Sequence, residues 1–213
     1  MITLNDLQNE IDNEMKWRKK ELVAIRENIK ASKNFTKDTA IRAGIALLYA
    51  HWEGGIKNIA TFYLEYVSGL NLSYDQLKPN FLAVVLRNDF NKFKDSKKTS
   101  IHTDLVNRIL NNKTITTKMP FKGVIRTNSN LNSEHFKEVM STIGLPYDDY
   151  ECSFVLIDKV LLCNRNRVAH GEHIEDIGID ETRYYQIHDK IFKLLEVFSN
   201  QIFDAANSRY YLK

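Results

Sequence analysis

The sequence predicts an all-α protein, and three observations carry that reading. Glycine and proline are scarce, apolar residues recur at three- and four-residue steps over long stretches, and extended-chain composition is confined to one short segment. Eight glycines and three prolines among 213 residues are too few for a β-fold that must turn about every ten residues, and they suit long helices with few breaks. The 43% hydrophobic and 27% charged content is that of an ordinary globular chain, so a single domain over 1–213 is expected.

Leu4, Leu7, Ile11, Met15, Leu22, Ile25 and Ile29 predict one amphipathic helix over about residues 4 to 31, ended by Ser32 to Phe35. Ile41, Ile45, Leu48, Trp52, Ile56, Ile59, Tyr63 and Val67 mark a second long helix that stops near Ser68 and Gly69. The two are expected to pair as an antiparallel hairpin. After Pro79, residues Asn80 to Phe93 read as one shorter helix, followed by another from about Ile101 to Leu110. Asn112 to Asn132, with Thr114 to Thr117 and Gly123 to Arg126, favours an irregular or hairpin insertion. Ser133 is the expected N-cap of a helix ended by Gly144 and Pro146. Two helices then close the chain. Phe154, Ile157, Val160, Leu161 and Val168 line the first, and Asp180 caps the second.

The net charge of +3 permits a nucleic-acid partner without requiring one. The basic run Lys16, Arg18, Lys19, Lys20 is expected as a solvated helix face. No apolar stretch is long enough to span a bilayer. With two cysteines and no apolar leader, a reduced, cytoplasmic setting is expected. His170 and His173 lie three apart beside Glu172, but a second ligand pair is missing, so no metal is expected. No glycine-rich phosphate loop or nucleophile elbow occurs, and no cofactor is expected.

The chemistry concentrates in Asn164-Arg165-Asn166-Arg167-Val168-Ala169-His170-Gly171-Glu172. Asn166 and His170 are four apart and share a helical face, while Arg165 is rotated by roughly 140° from His170 and must reach round on its long stem. Gly171 suits the position just past the helix end. On spacing alone, Arg165 pairing with Glu172 as a helix-end salt bridge is the competing reading.

Arg165, Asn166 and His170 resemble the signature of the HEPN superfamily (higher eukaryote and prokaryote nucleotide-binding), an Arg, a polar residue, three variable positions and a His. Tyr49-Ala50-His51-Trp52-Glu53-Gly54 is similar to the second-helix segment of a bacterial HEPN-like nuclease branch. Gly55 departs from that branch, where a bulky apolar residue is expected, and its small size predicts looser packing near Trp52. The resemblance implies a HEPN-like bundle of long antiparallel helices, a homodimer with a composite active site, and an endoribonuclease acting as a toxin or anti-phage effector. An antitoxin or regulatory partner belongs to the same picture. The alternative is a non-catalytic module that binds RNA or a nucleotide and joins protomers.

RNA can be cut without a metal when a base deprotonates the ribose 2′-hydroxyl, that oxygen attacks the adjacent phosphate, and an acid protonates the leaving 5′-oxygen. His170 suits the proton transfers, and Arg165 offers a planar fork for the phosphate charge. Asn166 would fix the imidazole or hold a phosphate oxygen. Products would be a 2′,3′-cyclic phosphate and a 5′-hydroxyl. Glu53 is either an acid that orients His170 or a surface carboxylate. His51 is either a structural histidine or an RNA contact. Arg167 and Asn164 either touch RNA or face solvent.

Overall fold

The computed structural model describes residues 2–111, 116, 118–172 and 178–213. Helix α1 (Leu4–Ala31) opens on a capping box in which Thr3 accepts from the Asp6 backbone N–H and the Asp6 carboxylate accepts from that of Thr3. A break of only two residues, Ser32 and Lys33, leads into α2 (Asn34–Gly69). The connection is shorter than the sequence predicts, because Asn34 and Phe35 already belong to the second helix. So short a link turns the chain back on itself, and α1 and α2 pack along each other as expected.

At 36 residues, α2 runs roughly 54 Å and is the hub of the molecule. Trp52, Ile56, Ile59, Tyr63 and Leu64 on it are fully buried. Helix α8 (Glu181–Asn207) lies against both α1 and α2, and its N-cap Asp180 accepts from Arg183 N at 2.7 Å, as predicted. The chain end is pinned by backbone bonds from Lys78 N to Tyr211 O and from Lys213 N to Gln76 O.

The predicted single helix over 80–93 is two helices, α3 (Pro79–Val85) and α4 (Arg87–Asp95), separated at Leu86. Phe81, Val84, Val85 and Leu86 are buried, whereas α4 buries nothing and pairs with α5 (Thr99–Asn111) through Arg108–Asp89 and a Phe93–His102 stack. The break allows one half to serve the core and the other to leave it, which periodicity alone does not reveal.

Within the expected 112–132 insertion, 112–115 and 117 lie outside the described residues. Residues 118–132 are turns rather than a hairpin. Thr116 makes an isolated bridge to Ser73, Met119 O accepts from Ser68 Oγ, and Val124, Ile125 and Leu131 are buried. Among the described residues no strand occurs.

Helix α6 (Ser133–Ile143) is capped one residue earlier than predicted. Asn132 Oδ1 accepts from His135 N at 2.8 Å, leaving Ser133 as the first helical residue. Ser133 instead donates through its N–H and hydroxyl to the Asp158 carboxylate at 2.8 and 2.5 Å. That carboxylate lies on a π-helical segment, Leu156–Leu162, which follows a 3-10 turn at Asp148–Ser153 and runs into α7 (Cys163–Ala169). Where the sequence predicts one uniform helix, wider turns shift the register ahead of α7. No helix is long and apolar enough to cross a membrane, among the described residues.

Candidate functional site

Helix α7 packs against α2 and ends as the sequence predicts. Gly171 sits at φ +72°, its N–H donates to Val168 O, and Glu172 N donates to Arg167 O at 3.0 Å. This left-handed terminator stops the helix at His170, whose side chain is exposed. Asn166, one turn earlier, is half-buried and accepts the His170 N–H through its carbonyl at 2.9 Å.

Arg165 turns toward α2. Its guanidinium carbon stands 4.0 Å from the centre of the Tyr49 ring, and one terminal nitrogen donates to Ser129 O at 2.7 Å. Its Nε is buried without a hydrogen-bond partner. The stack fixes the plane of the fork. Tyr49 in turn accepts from Leu131 N at 2.6 Å, so one ring holds both the guanidinium and the loop. Burial pushes the Tyr49 phenol above its ordinary range despite the neighbouring guanidinium. Glu53, one turn along the same face of α2, is half-buried and adds to the upward push on that phenol. The geometry thus brings Arg165 and Tyr49 together, with Glu53 one turn further along α2. No hydrogen bond or ion pair joins Arg165 to His170 in the single chain, among the described residues.

The competing salt bridge forms at a different arginine. Arg167, not Arg165, approaches Glu172, at 3.6 Å. Arg167 remains about 41% exposed at its side chain and stays at the surface of the helix end. His173 lies outside the described residues.

Two expected RNA contacts are not brought to the surface. Asn164 is 7% exposed, with its amide donating to Val160 O, because it faces the core side of the turn that leaves the π segment. His51 is 2% exposed and faces α1, two residues and therefore roughly 200° from Tyr49. Arg18 donates to its Nδ1 and to its carbonyl, each at 3.2 Å, and Glu21 lies 2.9 Å from Nε2. Burial first, then the adjacent guanidinium, hold the His51 pKa below its ordinary value. A nitrogen that accepts from arginine carries no proton, which fits that direction.

The basic run on α1 is likewise not wholly a solvated face. Arg18 is 3% exposed and ion-paired to Glu14, which also accepts from Asn58 and Trp17. Gly54 and Gly55 make room for it. A Cβ on Gly54 would stand 3.0 Å from an Arg18 nitrogen, and one on Gly55 would stand 2.7 Å from Leu195 Cδ2. Gly55 therefore marks close packing of α2 on α8, the reverse of the looseness its small size predicts. Tyr49 was the residue sequence reasoning missed, and its four-residue spacing from Glu53 is the signal that points to it.

The family model of HEPN_MAE_28990-like HEPN proteins matches residues 7–211. No curated protein and no solved structure matches the chain.

Proposed function

The chain belongs to the HEPN_MAE_28990-like HEPN family, a membership that places it among nucleases or nucleotide-binding modules, and from that premise we propose that it is a metal-independent endoribonuclease. The observation that carries the reading is the oriented Arg165 fork, stacked on Tyr49, on the same short helix that ends in the exposed His170.

In the reaction, the 2′-oxygen forms a bond to phosphorus while the bond to the 5′-oxygen breaks. One imidazole takes the 2′-hydroxyl proton and another donates a proton to the leaving oxygen. A single chain offers one motif histidine. A homodimer that packs two α7 ends into a common cleft supplies the second, with both Arg165 groups over the phosphate. Arg165 stabilises the charge that builds on the phosphoryl oxygens, where its fork matches their geometry. Asn166 steadies the imidazole or a phosphate oxygen, Glu53 orients the cationic side of the site, and Arg167 meets the strand beyond it. The products are a 2′,3′-cyclic phosphate and a 5′-hydroxyl, and DNA is spared for want of the nucleophile. The biological role is that of a toxin or anti-phage effector restrained by a partner.

Incubating the purified protein with mixed RNA in excess chelator tests this. Strand loss with cyclic-phosphate ends, abolished in His170→Ala at unchanged thermal stability, is the expected result. Cleavage that survives both His170→Ala and Arg165→Ala, or 5′-phosphate ends, would overturn it. Binding without strand loss would leave the chain a non-catalytic module. Sedimentation velocity reads the dimer, and growth arrest relieved by either substitution reads toxicity.

A further inference from the structure

A cavity of about 430 Å³ opens between α3, α6 and the 124–128 loop, on residues the motif does not use. Its volume is that of a small-ligand site. The wall carries Arg87, Arg126 and His135 against one carboxylate, Glu138, and Val84 and Val139 supply an apolar strip. Two guanidiniums in a concave wall concentrate positive potential, and their forks suit phosphate oxygens. Arg87 is steadied by a bond from one terminal nitrogen to Val124 O at 3.4 Å, whereas Arg126 is exposed. The apolar strip suits the face of a base, and a carboxylate accepts from ribose hydroxyls.

We propose that this cavity binds a nucleoside monophosphate unit, supplied either as a free nucleotide or as one residue of an RNA strand. The site stands whether or not the motif cuts RNA.

Its floor and the motif share one loop. Asn128 Nδ2 meets His135 Nε2 at 3.0 Å, His135 Nδ1 lies 2.8 Å from Asn130 O, and Arg165 grips Ser129 O between them. Asn128 and Ser129 both hold positive φ, 52° and 53°, a conformation that asparagine adopts readily and serine seldom. A ligand that engages Arg126 or Asn128 therefore acts on the backbone that Arg165 holds.

Calorimetric titration of the full chain tests the site with three probes: the four nucleoside 5′-monophosphates, adenosine, and a 2′-O-methylated RNA pentamer that cannot be cut. Monophosphate binding, weakened about tenfold or more in Arg126→Ala, the loss expected for one charge-assisted contact, and unchanged in His170→Ala, is the expected result. Adenosine should bind more weakly by a similar factor. Pentamer binding that is lost in Arg126→Ala, without mononucleotide binding, assigns the site to the strand. Arg87→Ala is a second probe, and because it also removes the Val124 contact, the exposed Arg126 is the decisive position. No binding of any probe at millimolar concentration overturns the proposal. So does binding of adenosine equal to that of the monophosphates, or mononucleotide binding that His170→Ala removes and Arg126→Ala leaves intact.

Discussion

On the side of α2 that faces α1, His51 is enclosed by Arg18 and Glu21, and Glu14 takes up what remains of the Arg18 fork. Two residues earlier, on the side that faces α7, Tyr49 holds Arg165, whose Nε keeps an unspent donor, and the helix carrying that arginine ends in an exposed imidazole. Both clusters contain an arginine, a carboxylate and an aromatic or imidazole ring. They differ in exposure. The α1 cluster is buried and holds two helices together, while the α7 cluster ends in an imidazole, His170, that is open to solvent. Residue type alone does not separate structure from chemistry here; exposure does.

The largest test of that contrast is Arg165→Lys. The charge survives but the planar fork and its stack on Tyr49 do not, so the proposed RNA cleavage should fall by roughly 100-fold or more, while stability falls by only about 1 kcal/mol, the scale of one stacked cation. A stability loss as large as that expected for Arg18→Ala would make the motif cluster another structural one. Arg18→Ala should do the opposite. It leaves Glu14, 11% exposed at its side chain, without its cation, and urea denaturation should show a loss of about 3 kcal/mol or more with little specific effect on any cleavage per folded molecule.

Smaller effects sharpen the same line. Gly55→Leu forces a side chain toward Leu195 on α8, and overpacking should destabilise the fold by about 1–3 kcal/mol. Were the site loosely packed, the extra methylenes would stabilise it. Tyr49→Phe keeps the ring under Arg165 and removes the acceptor for Leu131 N. It should cost about 1–2 kcal/mol in stability and weaken activity less than Tyr49→Leu, which removes the stack as well. Equal activities for the two variants would exclude the stack as the positioning contact.

The smallest is a pH effect at His51. Its pKa is lowered in the fold, so between that lowered value and the ordinary 6.5 the unfolded chain binds more protons than the folded one. Stability from this group is complete above the ordinary value and declines as pH falls below it. The denaturation midpoint of the native chain should drop more between pH 7.5 and 5.5 than that of His51→Gln. An equal drop in both would show that His51 titrates alike in the two states.

The long helices were legible because a face buried against a neighbour imposes a repeat that extends over many turns, as Leu7, Ile11, Leu22 and Ile29 do on α1. The caps at Asp180 and Gly171 and the motif on α7 were legible because each depends on residues a few positions apart. The break at Leu86 and the π turns before α7 were not, since neither glycine nor proline marks them and they exist to serve packing partners distant in the chain.

The sequence by itself determined the helical class, the two long helices and the Arg165–Asn166–His170 pattern, because these follow from spacing within one segment. Only the tertiary structure decided that Tyr49 lies under Arg165 while His51 is closed off by Arg18, and that the 127–131 loop stands between the motif and the cavity of Arg87 and Arg126. Those contacts join residues from 33 to more than 100 positions apart, and no local rule of spacing reaches that far.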